Sequence, residues 1–161
     1  MDDPTTRASL RDVMAGFPTG VTIVAACDES GDPYGLTVNS FTSVSLEPPL
    51  VLVCIGHTSS SHDRLCAAGR FVINILSGTQ GAVAWRFASE PSEGRFEDLG
   101  WSPSESGNPI LDGAVAWLDC SVQDVLVSGD HSILVGVVEA SDVCDLPALV
   151  FHRGRLRSTD P

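Results

Sequence analysis

The sequence predicts a mainly β fold, in which the strands form an antiparallel barrel with short helices at its flanks. Six or seven segments carry the β-branched runs or the apolar–polar alternation of strands, and turn-rich stretches of hairpin length join most of them. The helical patterns are short and do not alternate regularly with the strands, as they do in a doubly wound parallel sheet. With 161 residues, the chain is expected to form one domain, residues 1–161, with its own core.

The first part of the chain predicts a helix followed by a β-hairpin. Residues 5–17 space their apolar side chains as a helix does, and Thr5 or Thr6 is available as the N-cap. The apolar face consists of Leu10, Val13, Met14 and Phe17. Residues 20–27 are rich in β-branched side chains, and residues 28–33 have turn composition ahead of a second strand.

Two more strands and two short helices are predicted in the middle of the chain. The strands occupy residues 50–55 and 70–76. The serines at residues 59–61 are expected to cap the first of these helices, and the second is predicted at residues 79–88. Residues 89–108 are rich in Ser, Glu, Gly and Pro and predict a long surface excursion.

The last third of the chain predicts three strands. Residues 114–127 alternate between apolar and polar side chains, and their apolar face consists of Ala116, Leu118, Cys120 and Val122. A Ser-Gly-Asp turn leads to a strand at residues 131–140. A final strand is predicted at residues 148–152.

The charge of the chain argues against a nucleic-acid surface. The net charge is -12, lysine is absent, and the basic side chains cluster only at Arg153, Arg155 and Arg157. Binding of backbone phosphates requires clustered Lys and Arg over a wider surface. No apolar run is long enough to cross a bilayer, and the acidic N-terminus differs from that of a signal peptide, so we expect a cytoplasmic protein.

The cysteines and histidines predict neither a disulfide framework nor a metal site. Five cysteines are an odd number and none forms a C-x-x-C pair, so we expect them to be buried structural thiols. His57 and His62 flank the serine cluster, but no third ligand lies nearby in the sequence. We therefore predict no bound metal.

Residues 35–49 are the most informative segment because polar and apolar side chains interleave along it. The polar groups are Thr37, Asn39, Ser40, Thr42, Ser43 and Ser45, and the apolar ones are Leu36, Val38, Phe41, Val44 and Leu46. Neutral donors beside apolar walls suit a large planar ligand with a polar tail, and a flavin is such a ligand. The alternative is a polar strand end that satisfies its own backbone.

Seven short segments occur in the same order as in one known family, from about residue 13 to residue 156. The chain resembles the flavin reductase-like, FMN-binding split-barrel family, whose members are the small components of two-component flavin-dependent monooxygenases. The matching segments are residues 17–24, 35–43, 45–50, 70–76, 86–88, 129–131 and 151–154. The resemblance implies a six-stranded Greek-key split barrel, a homodimer, and reduction of free FAD or FMN by NADH or NADPH. It further implies that reduced flavin passes to a separate oxygenase or halogenase.

The resemblance also implies which residues bind the cofactors. Those expected to line the flavin are Thr37, Val38, Asn39, Ser40, Ser43, Cys54, Ile55 and Gly56; those expected at its phosphate are Ser59, Ser60 and Ser61. Arg86 and Phe87 are expected at the phosphate or over the ring, and Arg153 is expected to support the nicotinamide dinucleotide. The alternatives are simple N-capping for the serines, a turn glycine for Gly56 and a helix-surface arginine for Arg86.

His131, in a Gly-Asp-His turn, is the predicted catalytic residue. The resemblance places it near the nicotinamide and the flavin edge, where it positions the carboxamide or donates a proton. The alternative is a histidine at a strand start, hydrogen-bonded to Asp130. The chemistry is hydride transfer from nicotinamide C4 to flavin N5, which the cofactors themselves supply. Scarce positive charge disfavours an extra 2′-phosphate and favours NADH over NADPH.

Two other functions remain open at this point. The first is a split-barrel protein that retains flavin as a carrier or prosthetic group without reducing free flavin. The second is a related oxidase of a phosphorylated pyridoxine-type substrate. It would need several basic residues for the substrate phosphate, and this chain has few arginines before residue 150.

Overall fold

The structure is a computed structural model that describes residues 8–160. Within those residues it contains three short helices and twelve strands, so the predicted mainly β class is confirmed. The helices are α1 (Leu10–Ala15), α2 (His62–Ala67) and α3 (Gly81–Ser89). The strands are β1 (Thr19–Gly20), β2 (Thr22–Cys27), β3 (Pro33–Val38), β4 (Thr42–Leu46), β5 (Pro49–Gly56), β6 (Arg70–Ile75), β7 (Trp101–Pro103), β8 (Pro109–Leu111), β9 (Ala116–Ser128), β10 (His131–Val143), β11 (Leu149–His152) and β12 (Arg155–Ser158). No helix in this part of the chain is long and apolar enough to span a bilayer.

Seven strands form one antiparallel sheet in the order β3-β2-β6-β9-β10-β5-β4. No ladder of backbone hydrogen bonds joins its two edge strands, β3 and β4, so the barrel is split along that line. The resemblance implies six strands, whereas this sheet has seven. Its edge strand β4 lies inside the polar–apolar segment at residues 35–49 and carries three hydroxyl and two apolar side chains.

A smaller sheet in the order β1-β11-β12 brings the C-terminal strands beside the end of β3. Thr19 pairs with Phe151 in this sheet. The Thr19 hydroxyl also accepts a hydrogen bond from the Asn39 side chain, Nδ2 to Oγ1, at 3.3 Å. The segment that follows β3 is therefore held against the C-terminal strands.

The core has two parts, which lie on opposite faces of β2. Val24 and Ala26 point into one cluster, which also contains Phe71 and Leu134. Ile23 and Ala25 point into the other, which holds Phe87, Leu149 and the buried side of α3. Because both faces of β2 are covered, its sequence is a continuous apolar run and not an alternating one.

The N-terminal helix is shorter than predicted and begins at a different cap. Ser9 is the N-cap of α1: its hydroxyl accepts a hydrogen bond from the Asp12 N–H at 3.2 Å, and the Asp12 carboxylate accepts one from the Ser9 N–H at 3.1 Å. This reciprocal capping box accounts for the observed start. Thr5 and Thr6, the predicted caps, lie outside the described residues. The apolar face of the helix, including Phe17 just beyond its end, is exposed.

The serine cluster does not cap α2 in the predicted way. Ser61 occupies the N-cap position, but its side chain makes no capping hydrogen bond. The Ser61 hydroxyl instead donates to the Gly35 carbonyl oxygen at 3.3 Å and is buried. The first turn of this six-residue helix is therefore held by contacts with β3.

The long excursion predicted at residues 89–108 is not wholly irregular. It includes β7, which pairs with β8 just after it: Trp101 lies opposite Leu111, and Pro103 lies opposite Pro109. A buried asparagine on β6 holds the second of these strands. Asn74 donates from Nδ2 to the Pro109 carbonyl oxygen at 3.0 Å, and its Oδ1 accepts from the Leu111 N–H at 2.8 Å. Both bonds span more than thirty residues of sequence, so local patterns gave no sign of them.

The expectation that all five cysteines are buried is confirmed in full only for Cys120. Cys144 is exposed, Cys27, Cys54 and Cys66 are partly buried, and Cys120 is fully buried; all five are free thiols. Burial, with a smaller effect from Asp119 and Glu139, raises the pKa of the Cys120 thiol to about 12. Cys120 therefore stays protonated and behaves as an apolar core residue.

Gly136 on β10 is predicted to be intolerant of even a methyl group. A Cβ there would lie 2.7 Å from Phe71 Cζ and 3.0 Å from Cys120 Cβ, both in the core. We expect Gly136→Ala to lower the free energy of unfolding by about 1–3 kcal/mol, as overpacked cores do. Gly20→Ala is the control, since nothing lies within 4 Å of the corresponding position. Urea unfolding of both variants tests this, and equal stabilities would contradict it.

Candidate functional site

A continuous groove runs along the end of β3 and is the candidate site. It consists of three adjoining depressions with volumes of about 700, 190 and 1070 Å³. Thr37 lines the first and the second, and both Asn39 and Phe151 line the second and the third. We call the first depression the serine end and the third the helix end, because Ser59 and Ser60 line one and α1 lines the other.

The β3 side of the groove offers mainly backbone groups and one exposed amide. The Thr37 hydroxyl is already used, because it donates to the Ala84 carbonyl oxygen of α3 at 2.6 Å. Val38 is buried, whereas Asn39 is exposed. The predicted residues Thr37 and Asn39 therefore lie in the groove, while the Val38 side chain supports it from the core.

Ser40 joins the end of β3 to β5. Its hydroxyl donates to the Cys54 carbonyl oxygen and accepts from the Cys54 N–H, both at 2.9 Å. Ser40 also lines the helix end of the groove. Ser43, which was predicted to line the flavin, is exposed on β4 opposite Val51 and is not among the residues that line the groove.

The predicted residues of β5 divide between the groove, the core and the outer face. Gly56 lines the serine end. Ile55 is buried in the core, and Cys54 points to the other face of the sheet. Gly56 pairs with His131 across the sheet, and a Cβ at Gly56 would lie 3.4 Å from His131 Nε2. The absence of a side chain therefore lets the imidazole lie against β5.

His131 lies beside the groove, in contact with Gly56, and not among the side chains that line it. Its side chain is 48% exposed, and Nδ1 is 2.7 Å from Asp130 Oδ1. This hydrogen bond, together with the imidazole charge, lowers the pKa of Asp130. The ionised carboxylate accepts a hydrogen bond from Nδ1–H, and Nε2 faces Gly56.

The serine end differs from the prediction in how its donors are arranged. Ser59 and Ser60 line it, whereas Ser61 is turned inward to the Gly35 carbonyl. The Ser59 hydroxyl accepts from the Ser61 N–H at 3.3 Å. Because α2 has only six residues and no side-chain cap, the polar groups available to a ligand at this end are hydroxyls and not a helix dipole.

Of the two predicted residues of α3, Phe87 lines the serine end of the groove and Arg86 does not line it. Phe87 is 1% exposed and packs edge-to-face on Phe96, with ring centroids 4.8 Å apart. Arg86 donates from Nη1 to the Glu97 carbonyl oxygen at 3.0 Å. Ala84, Trp85 and Ala88 line the middle depression. Helical spacing contains this signal, since Trp85 and Ala88 are three residues apart and share a face.

The C-terminal strands wall the middle of the groove. Phe151 and Leu156 line it, and Gly154 lines the helix end. Arg153, predicted to support the nicotinamide dinucleotide, is exposed, has a positive φ of 48°, and its N–H donates to the Ala15 carbonyl oxygen at 3.0 Å. Its backbone thus connects the C-terminal hairpin to α1.

Trp85 and Arg95 are among the groove residues that sequence reasoning missed. Trp85 is 50% exposed, and Arg95 is buried and lines the serine end. Nothing local marks Arg95, because it lies in a segment predicted to be a surface excursion. His57 and His62 do not line the groove; both place Nε2 near the buried Ser132 hydroxyl, at 3.2 and 2.9 Å. Residues 8–160 contain no group of three side chains placed to hold a metal.

The groove fits an extended ligand with a planar part and an anionic tail. Its middle is walled by apolar groups such as Trp85, Phe151 and Leu156. Its serine end presents hydroxyls, one guanidinium and the exposed carboxylates of Glu90 and Glu93. Backbone groups at the end of β3 provide neutral donors and acceptors between the two. These features suit a flavin nucleotide, whose tricyclic ring is flat and whose tail ends in phosphate.

Comparison with known proteins identifies the family. The sequence model of the family described as "Flavin reductase like domain" matches residues 14–160, so the chain belongs to the flavin reductase-like family and the resemblance is confirmed.

Individual relatives agree with this assignment. The chain is 47% identical over 146 residues to a "Probable flavin reductase" of Rhizobium meliloti (strain 1021), covering 91% of this chain and 47% of that protein. It is 40% identical over 164 residues to an "NADH-dependent FAD reductase" of Streptomyces globisporus, covering 99% of this chain and 89% of that protein. The chain spans about half the length of the first curated relatives it matches.

Solved structures share the whole fold. The Streptomyces globisporus C-1027 NADH:FAD oxidoreductase SgcE6 superposes with a TM-score of 0.89 at 40% identity, covering 100% of this chain and 98% of that one. The same protein has been solved in complex with NAD and FAD fragments. BorF, described as the flavin reductase component of a bacterial two-component tryptophan halogenase, superposes with a TM-score of 0.85 at 38% identity, covering 92% of this chain and 95% of that one.

Proposed function

We propose that this protein is an NAD(P)H-dependent flavin reductase that transfers a hydride from NADH to FAD or FMN. The observation that carries the proposal is the continuous groove, with apolar walls in the middle and hydroxyls and a guanidinium at one end, in a chain of this family. The reduced flavin would then serve a separate monooxygenase or halogenase, as the descriptions of several relatives indicate for those proteins. NADH is favoured over NADPH because the groove has little positive charge to spare for a 2′-phosphate.

The flavin and the nicotinamide supply the hydride chemistry when both are bound. The protein would hold the flavin and the nicotinamide against each other and leave one edge of the flavin accessible. Thr37, Asn39 and Ser40 would hold the polar edge of the ring through backbone and amide groups. Gly56 leaves the space into which the His131 imidazole faces. With Nδ1–H held by Asp130, His131 Nε2 is the atom that orients a carboxamide or exchanges a proton.

A nicotinamide oxidation assay tests the proposed activity. NADH and NADPH are each mixed with FAD or FMN in excess over protein, and loss of the reduced nicotinamide absorbance is followed. We expect turnover that depends on added flavin and is faster with NADH. Absence of turnover with both flavins, combined with a flavin that stays bound through gel filtration, would instead support a protein that retains its flavin.

Removal of the His131 imidazole is expected to slow turnover more than it weakens flavin binding. His131→Ala loses the group beside Gly56, and we expect kcat to fall on the order of a hundredfold, the range found for positioned acid–base groups. The flavin Kd, measured by fluorescence titration, should stay near that of the wild type. Glu139→Ala, on the same strand and exposed, is the control. Wild-type turnover in His131→Ala would remove His131 from the site.

We also propose that the protein is a homodimer that pairs through the outer face of its main sheet. Along β10, the buried residues Ser132, Leu134 and Gly136 alternate with three partly buried apolar residues on the outer face. These are Ile133, Val135 and Val137. They stand opposite Cys54, Leu52 and Leu50 on β5, which gives β5 apolar side chains on both faces. Strands of that kind are usually covered on both sides.

A charge in the centre of this face is expected to separate the copies. Leu52→Asp places a carboxylate where the second copy would exclude water, which costs several kcal/mol without a partner charge. Light scattering coupled to gel filtration should show a dimer for the wild type and a monomer for Leu52→Asp. Gln123→Asp, exposed on β9, is the control and should remain dimeric. A monomeric wild type at micromolar concentration would contradict the proposed interface.

The proposal also covers domain organisation and cellular location. We propose that residues 1–161 act as a single flavin reductase-like domain. We further propose a cytoplasmic location, because NADH, the favoured hydride donor, is an intracellular metabolite.

A further inference from the structure

Two histidines attach both ends of the loop at residues 57–62, which we call the serine loop, to a single buried hydroxyl. His57 follows β5 and His62 begins α2. His57 Nε2 is 3.2 Å and His62 Nε2 is 2.9 Å from the Ser132 hydroxyl. Ser132 is 1% exposed and belongs to β10, which is paired with a strand on each side. The two ends of the serine loop are therefore attached to one fixed point of the main sheet.

The donor and acceptor roles in this contact follow from Asp63. His62 Nδ1 is 2.7 Å from Asp63 Oδ1, and a carboxylate only accepts, so Nδ1 carries the hydrogen. Neutral His62 then has a bare Nε2, which accepts from the Ser132 hydroxyl. That hydroxyl has one hydrogen, so it can only accept from His57, whose Nε2 carries a hydrogen of its own. The hydrogen bonds therefore run in one direction, from His57 through Ser132 to His62.

The two imidazole rings are close enough for their charges to repel. Their centroids are 4.9 Å apart, and both Nε2 atoms face the same oxygen. One extra proton is accommodated, because His57 can take it on Nδ1 without changing its bond to Ser132. A second proton puts a hydrogen on His62 Nε2. It places a second positive charge beside the first and leaves the Ser132 hydrogen without its acceptor.

The other titratable groups around the two rings offset this repulsion only in part. Asp63 and Asp130 are the neighbouring carboxylates, and their side chains are 100% and 95% exposed, so solvent screens them. His131 already donates to Asp130 and adds a positive charge of its own when protonated. Cys66 Sγ lies 3.6 Å from His62 Nε2, and burial raises the pKa of its thiol, so it supplies no negative charge. The second proton is therefore unfavourable while the loop keeps its observed shape.

We propose that His57, His62 and Ser132 form a pH-sensitive clamp on the serine loop, in which the two histidines are positioning residues for the serine end of the groove. This inference rests on the proposed flavin-binding function. The clamp is closed while the two histidines share at most one extra proton, and uptake of the second releases the loop. The released form holds one proton more than the closed form, so it gains population as the pH falls. Ser59 and Ser60, which line the serine end, then lose their fixed position, and flavin affinity falls.

The pH dependence of flavin binding tests the clamp. Dissociation constants for FAD are measured by fluorescence titration from about pH 8 to about pH 5, the range in which histidines change charge. FAD is the probe because its diphosphate keeps its charge in this range, whereas the FMN monoester takes up a proton at about pH 6. We expect the wild-type Kd to rise about tenfold for each pH unit once the loop is released, as one linked proton requires.

Four variants separate the clamp from other titrating groups. The double variant His57→Gln/His62→Gln keeps a donor and an acceptor for Ser132 but binds no proton. Its FAD affinity should match the wild type at the alkaline end of the range and should not change with pH. Ser132→Ala removes the anchor and should weaken FAD binding about tenfold at the alkaline end, as loss of one buried hydrogen-bond partner does. His131→Ala and the control His152→Gln, on β11 and not among the residues that line the groove, should keep the wild-type pH dependence.

Nitrogen-15 NMR of the histidine rings tests the clamp without any flavin. At the alkaline end of the range, we expect His62 to carry its hydrogen on Nδ1 and His57 to carry its hydrogen on Nε2. As the pH falls, the two rings should take up protons in two separated steps in the wild type. The steps should move together in Ser132→Ala, because the rings are no longer held at one oxygen. A single common step in the wild type, or the opposite tautomers, would overturn the inference.

Other outcomes of the FAD titrations also overturn the inference. A wild-type Kd that does not change with pH would contradict release of the loop. A pH dependence that persists in His57→Gln/His62→Gln would assign it to another group. If Ser132→Ala does not fold, the double glutamine variant and the NMR titration of the wild type decide. Failure of the wild type to bind FAD would contradict the proposed function, and the NMR titration would still decide whether the clamp exists.

Discussion

The hydroxyl of Ser40 connects the end of β3 to β5 beside the opening between the edge strands of the main sheet. Pairing between β4 and β5 ends at Thr42 and Leu52, so the next backbone groups of β5 on that side have no strand to bond. Ser40 takes both the N–H and the carbonyl of Cys54 in place of a strand. Unpaired backbone groups in a part-buried position would otherwise cost free energy. The Cys54 backbone groups are therefore paired although no strand lies beside them, and Ser40 itself lines the helix end of the groove.

Much of the fold follows from local patterns, because its long strands carry their own signal. The alternation in β9, the apolar run of β5 and the turn at Gly129 are each recognisable from a few neighbouring residues. The pairing of β7 and β8 is not, since it depends on Asn74, more than thirty residues away. The start of α1 was misjudged for a different reason, as Ser9 and Asp12 form a cap within the predicted helix.

The candidate site could be predicted at the level of segments but not of atoms. Residues 35–43 and 54–60 do meet around the groove, yet the Thr37 and Ser61 hydroxyls are spent on carbonyls of α3 and β3. The polar groups left for a ligand there are therefore largely main-chain N–H and carbonyl groups, which are the same for every residue type and cannot be predicted from the sequence. Arg95 was missed because its place in the groove depends on burial and on a hydrogen bond to the Gly35 carbonyl, and neither property is local.

Cys54 lies between the groove and the outer face of the main sheet. Its backbone holds Ser40 at the edge of the groove, while its side chain points to the opposite face, where a second copy is proposed to pack. Movement of β5 at that interface would reach the groove through a single residue. If flavin binding shifts β5 at the proposed interface, subunit association and flavin binding would be linked equilibria, and each would change the apparent affinity of the other by the same factor. Flavin affinity would accordingly depend on protein concentration.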